Sequence, residues 1–235
     1  MNTFDDNRNL THQVTYELGR AIVQGKYAAG DSFPTEAQMC RHYQISRSVI
    51  REAVKMLTAK KLISSRPRQG IRVLPPSAWN VFDPDVLQWS LSSRPSVQLL
   101  REFTELRMAL EPDAAALAAG RADQASVAEI HRALQQLDAA ARGDDDSVEA
   151  AIAFHTAVLR ASDNRFFIQL CHFIHTAIGA DTATNQVILA SALSDYQMVA
   201  QAIASADESA ARRAMQRLLS GLAPRAGAAP VAQAS

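Results

Sequence analysis

More than half of the chain, from about Val97 to Leu222, has helical periodicity, and no part of it alternates polar and apolar residues as a half-buried strand does. Short breaks near residues 120–124, 143–147, 162–164, 182–185 and 205–207 divide this stretch into about six helices rich in Ala and Leu. The pattern predicts an all-helical domain over residues 97–222. We expect the Ala- and Pro-rich residues 223–235 to form a disordered tail.

Residues 8–75 have a different organisation. Val14, Leu18 and Ile22 recur at helical spacing and predict a first helix near residues 11–24. Thr35 and Ser46 are N-cap candidates for a second and a third helix. Two β-prone runs, LISSR and IRVL, then flank the turn-like PRQG. This order predicts a winged helix-turn-helix domain, and a mainly α fold for the whole chain.

The third helix, SRSVIREAVKML, has two unlike sides. Arg47, Arg51 and Lys55 fall in one narrow arc, because each step of four residues advances only about 40° around a helix. The remaining arc is broad and apolar: it contains Val49, Ile50, Ala53, Val54, Met56 and Leu57. The helix therefore has a side to bury and a basic side to expose.

Charge is distributed unevenly along a chain whose net charge is zero. Residues 1–75 contain 12 Lys and Arg against 6 Asp and Glu, and the rest of the chain has the opposite excess. Between residues 41 and 72, nine basic residues accompany one acid, Glu52. Such a block usually marks a surface for a polyanion.

In a winged helix-turn-helix the third helix enters the DNA major groove and the wing touches the backbone or minor groove. Arg47, Arg51 and Lys55 are expected to face phosphates and base edges, and Ser46 and Ser48 can donate hydrogen bonds to phosphates. In the wing, Gly70 permits close approach to DNA, and Arg68 and Gln69 supply side chains. Lys60 and Lys61, just past the helix, are expected to contact phosphates. The alternative is an ordinary solvated helix face.

Residues 76–96 form a connector. Its large apolar residues, Trp79, Phe82, Leu87 and Trp89, indicate that it packs against one or both domains. Elsewhere, Cys40 and Cys171 are far apart and lack metal-ligand spacing, the polar N-terminus does not resemble a signal peptide, and no run is long enough for a membrane span. We expect a cytoplasmic protein.

The first 75 residues resemble the GntR family of bacterial transcription regulators. The matching stretches are IVQGKYAAGDSFPTEAQM, SRSVIREAVKML and KKLISSRPRQGIRV. The resemblance implies double-stranded operator DNA as partner, with contacts at Ser46, Arg47, Ser48, Arg51 and the wing tip at Gln69 and Gly70. Ala37 stands where the family commonly has an arginine, and Val49 where it has a proline.

The helical part resembles the FadR branch and its FCD-type effector domain, through ELRMALEPDAAALAA, AFHTAVLRASDN and VAQAIASADESAARRAMQRLL. The connector WNVFDPDVLQW is similar to that of aldonate-catabolism regulators. Many such domains bind a divalent metal through one Asp and three His. The aligned positions here are Ala151, His155, Tyr196 and Leu218, so the resemblance implies no family-type metal and no cofactor.

Without a metal, the effector must be recognised by hydrogen bonds and charge. Arg107 matches an arginine that points into the pocket of this fold, where a guanidinium suits a carboxylate. Alternatively it pairs with Glu111 one turn later. His155 and Tyr196 would line the same cavity, or be satisfied polar groups of the core. His172 and His175 lie opposite an apolar side that includes Phe166 and Ile174, as on a solvated helix face.

These features favour a homodimeric transcription regulator, and a repressor rather than an activator, that responds to a small anionic effector such as a sugar acid. An acyl-CoA or another organic acid is an alternative ligand. Residues 97–222 show no nucleophile–base pair and no phosphate-binding glycine loop, so no catalytic residue is predicted and an enzyme with a DNA-binding appendage is disfavoured. The expected strands of a chorismate-lyase-like effector domain are also missing.

Overall fold

The structure is a computed structural model that describes residues 3–66, 70–92, 97–180 and 182–222. The chain divides into two compact units, Met1–Arg94 and Pro95–Ser235. The predicted wing residues Arg68 and Gln69 and the predicted disordered tail, residues 223–235, lie outside the described residues.

The first unit has the predicted order of three helices and a hairpin, followed by a helix in the connector. Its elements are α1 (Thr3–Val23), α2 (Glu36–Tyr43), α3 (Arg47–Ala59), β1 (Ile63–Arg66), β2 (Gly70–Val73), a short 3-10 helix (Pro76–Ala78) and α4 (Pro84–Leu91). The fold class predicted for this part is confirmed. The prediction for α1 was too short, because the polar residues 3–10 lack the apolar spacing on which it was based.

The hairpin pairs β1 with β2 in antiparallel register, from Ile63 opposite Val73 to Arg66 opposite Gly70. A single bridge from Ser32 to Arg72 joins its outer edge to the segment before α2. Ile63, Ile71 and Val73 are buried, whereas Arg66 and Arg72 are exposed. The alternation places the apolar side of the hairpin on the core and leaves its basic side outward.

The core of the first unit forms around the apolar side of α3. Of the six residues assigned to that side, five are buried and Met56 is half-buried. They pack with Val14, Leu18 and Ile22 of α1 and with the hairpin. On α2, Met39 is buried.

The connector helix α4 packs on α1 within the first unit. Val86 and Trp89 join its core, and Trp79 packs against that core. Phe82 is the most exposed of these large apolar residues, at 57%.

The second unit contains six helices in its described part, as predicted: α5 (Val97–Arg121), α6 (Gln124–Arg142), α7 (Ser147–Ala161), α8 (Arg165–Ala180), α9 (Thr182–Ala204) and α10 (Glu208–Leu222). Asp123 and Asp146 cap α6 and α7, and Gly143, at positive φ, ends α6. The helix α7 is buried along most of its length and packs against α5, α6, α8 and α9. The core consists largely of Ala, Ile, Leu and Val, which allows close approach of the helices. Among the described residues, no helix is both long and apolar enough to span a membrane.

Candidate DNA-binding and effector sites

Both helices of the helix-turn-helix begin at the predicted caps. Thr35 and Gln38 form a reciprocal capping box at the start of α2. Ser46 caps α3, where its Oγ accepts the Val49 N–H at 3.4 Å and lies 2.9 Å from the Ser48 Oγ. Ser46 and Ser48 are both exposed, and the first N–H groups of a helix have no carbonyl partner within it. This end of α3 can bind an anionic oxygen.

The basic side of α3 is exposed. Arg47, Arg51 and Lys55 all face solvent. The Arg51 Nε lies 3.9 Å from a Glu36 oxygen, and the Lys55 Nζ lies 3.1 Å from a Glu52 oxygen. Ion pairs between such exposed side chains contribute little, so the cations remain available to another anion. Ala37, at the position of the family arginine, is also exposed.

Gly70 begins β2 with φ of +73°, a conformation that favours glycine. A Cβ placed there would meet nothing within 4 Å, so backbone conformation rather than crowding requires this glycine. The other predicted wing contacts, Arg68 and Gln69, are outside the described residues.

Lys60 does not take the predicted place on the DNA-facing surface. It is buried, and its Nζ donates to both Asp83 oxygens, at 2.7 and 2.9 Å, and to an Asp85 oxygen at 2.8 Å. Lys61 is exposed, as a phosphate contact requires. The prediction for Lys60 was wrong because its charge is already compensated by two carboxylates more than 20 residues away in sequence.

In the helical unit, the three predicted effector residues lie in one buried network with Glu111. The Arg107 Nε donates to Glu111 Oε1 at 2.5 Å, and the His155 Nδ1 lies 2.6 Å from Glu111 Oε2. The His155 Nε2 lies 3.3 Å from the Tyr196 hydroxyl. Glu111, His155 and Tyr196 are each 1% exposed, and Arg107 is 9% exposed. The structure therefore contains the Arg107–Glu111 pair, which the sequence left as an alternative.

One protonation pattern satisfies this network. Burial alone raises the pKa of Glu111, but first the Arg107 guanidinium and then His155 outweigh the effect of burial and lower the pKa to about 2. Burial lowers the pKa of His155, although Glu111 opposes this effect, and burial raises the pKa of Tyr196. At neutral pH a neutral His155 donates a hydrogen bond from Nδ1 to the Glu111 carboxylate and accepts one at Nε2 from the Tyr196 hydroxyl. The four side chains then carry no net charge.

This donor set does not fit the metal that many FCD domains hold. Both His155 ring nitrogens already have partners in Glu111 and Tyr196. Ala151 and Leu218, at two of the aligned ligand positions, are buried and have no donor atom. Among the described residues, no group of three or more His, Cys, Asp or Glu side chains could hold a metal ion.

His172 and His175 lie on the exposed side of α8, as predicted, with their rings stacked 6.4 Å apart. The apolar side proposed opposite them is only partly correct. Ile174 is buried, but Phe166 is 74% exposed.

A basic α3 beside a hairpin, joined in sequence to a helical unit with a buried polar centre, defines a transcription regulator with a separate effector-binding domain. Comparisons with known proteins agree. Residues 10–73 match the model of the bacterial regulatory proteins of the gntR family, and residues 102–221 match the FCD domain. The chain belongs to the GntR family and has an FCD effector domain.

Two relatives from Escherichia coli (strain K12) cover most of the chain. The galactonate operon transcriptional repressor is 38% identical over 69% of this chain and 71% of its own length. The HTH-type transcriptional regulator YieP is 31% identical over 90% of this chain and 93% of its own. A solved structure of Lar, which controls the expression of the Listeria monocytogenes agr system, is also similar. The match has a TM-score of 0.58 at 17% identity and covers 95% of this chain and 96% of the Lar chain, so it supports the fold. The similarity to regulators of aldonate catabolism predicted from the connector is confirmed by the first relative.

The low pKa of Glu111 predicts how the unfolding free energy of the protein depends on pH in acid. Its folded value, about 2, is below the ordinary 4.5, so its contribution is complete above pH 5 and is lost as the pH falls towards 2. We expect Glu111→Gln to lower the unfolding free energy by roughly 3–5 kcal/mol at pH 7, because it leaves the buried Arg107 guanidinium without its carboxylate partner. The difference from wild type should shrink between pH 5 and 2 in urea unfolding followed by circular dichroism. The exposed Glu129→Gln is the control, and parallel profiles for wild type and Glu111→Gln would show that the ionised carboxylate does not stabilise the fold.

The donor set also predicts that purified protein contains no stoichiometric metal in the helical domain. Elemental analysis after exchange into metal-free buffer measures this directly. One Zn, Ni or Mn per chain that disappears in His155→Gln would contradict the prediction. Metal that survives this substitution would be bound elsewhere.

Proposed function

We propose that this regulator is a repressor that binds a two-fold-related operator as a homodimer and is released by a small carboxylate of the sugar-acid class. The observation that carries the DNA-binding part is the arrangement of α3. Its apolar side is buried in the first unit and its three basic side chains are exposed. A helix that is held by its buried apolar side and exposes a basic side can bind in the major groove of DNA.

Within this arrangement, the residues of α3 have different tasks. Arg47 and Arg51 read base edges, for which a guanidinium can donate two parallel hydrogen bonds to guanine. Ser46 and Ser48 bind phosphate at the start of the helix and set its register. Gly70 allows the wing, with Arg68 and Gln69, to approach the neighbouring backbone. Lys61, exposed just beyond α3, contributes a phosphate contact.

Repression is proposed from the galactonate operon repressor, the relative at 38% identity. The sign of regulation varies among relatives, since the Glc operon transcriptional activator of Escherichia coli is 27% identical over 70% of this chain. The higher identity and the larger share of its own length covered favour a repressor.

The effector is proposed to bind at Arg107, His155 and Tyr196. Arg107 presents Nε and Nη2 to Glu111, at 2.5 and 3.5 Å, which leaves Nη1 without a hydrogen bond to a described residue. A carboxylate can use that remaining edge, while His155 and Tyr196 exchange hydrogen bonds with hydroxyl groups. A sugar acid supplies both kinds of group.

Burial of this network gives the effector a means of control. All four side chains are nearly inaccessible, so binding requires a local opening among α5, α7 and α9, which carry them. A ligand that binds only the opened state shifts the population towards it. Release of DNA follows if the opened state has the lower affinity for the operator.

The first prediction of this proposal concerns base reading. On a duplex selected from a randomised pool by the wild-type protein, Arg47→Ala and Arg51→Ala should each weaken binding by roughly 1–3 kcal/mol and relax the preference at one position of each half-site. Lys61→Ala should instead reduce the salt slope by about one, with little change in preference. Fluorescence anisotropy at several salt concentrations, with single-base variants of the duplex, measures both effects.

Lys55→Ala is the matched control, because it removes a cation from the same side of α3, one turn farther from the helix start. It should act as a phosphate contact and leave base preference unchanged. Wild-type affinity and preference in both arginine variants would show that another surface reads the DNA.

The second prediction concerns the effector. Arg107→Lys keeps a cation beside Glu111 but removes the planar fork, so the protein should fold and bind the selected duplex normally. Its affinity for D-galactonate, measured by calorimetric titration, should fall about tenfold or more, as expected when a bidentate charged contact is lost. Galactitol, which has the hydroxyls but no carboxylate, should bind neither protein.

Arg132→Lys, an exposed arginine of α6, should leave the titration unchanged. Equal galactonate affinity in wild type and Arg107→Lys would show that Arg107 serves only its pair with Glu111. No binding of galactonate, gluconate or aldarates by wild type would overturn the sugar-acid class itself.

A further inference from the structure

The C-terminal end of α3 is joined to the start of α4 by a cluster of charges around the buried Lys60. Lys60 is the C-cap of α3, and its side chain is only 10% exposed. Its ammonium donates three hydrogen bonds, of 2.7–2.9 Å, to Asp83 and Asp85. Burial alone lowers the pKa of Lys60, but the hydrogen bonds and charges of the two aspartates raise it above its ordinary value. Lys60 therefore stays protonated, and its positive charge is compensated by the two aspartates.

The backbone strengthens the same junction. The Asn80 N–H donates to the Lys60 carbonyl at 3.1 Å. Asp83 is also the N-cap of α4, since its Oδ1 accepts the N–H groups of Asp85 and Val86. One carboxylate thus caps α4 and holds the lysine that ends α3.

The other end of α4 is fixed against α1. Trp89 is 1% exposed and packs edge-on against Tyr16, with ring centroids 5.7 Å apart. It fits against Gly19, where a Cβ would lie 2.2 Å from the indole ring. The Lys60 ammonium lies 5.7 Å from the centre of the same indole, so the two anchors are continuous. Every contact of this system lies within the first unit.

We propose that Lys60 is a positioning residue for DNA recognition: held by Asp83 and Asp85, it fixes the orientation of α3 relative to the connector helix α4. The proposal rests on α3 being the helix that reads DNA. It makes α4 part of the reading module, so that a displacement of the connector reaches Arg47 and Arg51 through Lys60. A helix that must place two guanidinium groups on base edges tolerates little rotation, whereas phosphate contacts tolerate more.

The salt dependence of DNA binding distinguishes this positioning role of Lys60 from a direct phosphate contact. An exposed lysine that binds phosphate contributes to the salt dependence of binding, because its contact releases counterions. A lysine neutralised inside the protein does not. The neighbouring Lys61, exposed and with the same charge, is the matched control.

The test compares Lys60→Met, Lys61→Met, Asp85→Asn and the double variant Lys60→Met/Asp85→Asn on the duplex selected by wild type, well below their melting temperatures. We expect Lys60→Met to lose about tenfold in specific affinity with an unchanged salt slope, and Lys61→Met to change the slope. Asp85→Asn, which keeps the Asp83 cap, should lose affinity in the same way but less. The double variant should be no weaker than Lys60→Met, because both changes break one contact.

Three results would overturn the proposal. Wild-type affinity in folded Lys60→Met would make the cluster merely structural, and a salt slope altered as in Lys61→Met would make Lys60 a phosphate contact. Additive losses in the double variant would separate Lys60 from Asp85. If Lys60→Met does not fold, Asp85→Asn decides the first two points by the same criteria. Arg51→Ala in the same assay tests α3 itself, since its wild-type binding would reject the DNA-reading helix rather than the role of Lys60.

Discussion

The packing of the apolar side of α3 against α1 and the hairpin is the contact on which the rest of the DNA-binding unit depends. Val49, Ile50, Ala53, Val54 and Leu57 are buried, and burial of each large side chain contributes roughly 1.5–3 kcal/mol. Because a helix is rigid, burying one side fixes the direction of the other. The basic side chains therefore face outward without needing interactions of their own to hold them there.

Each unit also contains a charge cluster, partly buried around Lys60 in the first unit and fully buried around Glu111 in the second, and the two are built differently. In the first unit, Lys60 joins two aspartates of another segment and so fixes one helix relative to another. In the second unit, Glu111 links Arg107 on its own helix to His155 on α7. Removing one member of such a cluster leaves an uncompensated buried charge, which is costly, whereas the intact cluster adds little net stability. Clusters of this kind specify geometry more than they strengthen the fold.

The elements of this fold could be predicted from the sequence because their signals are local. The cap at Ser46, the two sides of α3 and the breaks between the described helices of the second unit depend on residues within a few positions of one another. The contacts that define the sites are not local. Lys60 meets Asp83 across 23 positions, and Glu111 meets His155 across 44, so no periodicity reveals either. For this reason the sequence alone predicts a phosphate contact for Lys60, and it predicts for Glu111 only an ion pair with Arg107. The exposure of Phe82 and Phe166 could not be read from the sequence either, because an apolar residue on a helix or in a connector gives no sign of which side will be covered.

A methylation experiment shows whether α3 lies in the major groove. Dimethyl sulfate modifies guanine at N7, in the major groove, and adenine at N3, in the minor groove, so one reaction on the selected duplex reports both. With α3 in the major groove, we expect guanine N7 to be protected in two symmetric patches about one helical turn apart, and we expect this protection to weaken in Arg51→Ala. Bound DNA in which no guanine N7 is protected, or in which the pattern is the same for wild type and Arg51→Ala, would contradict it.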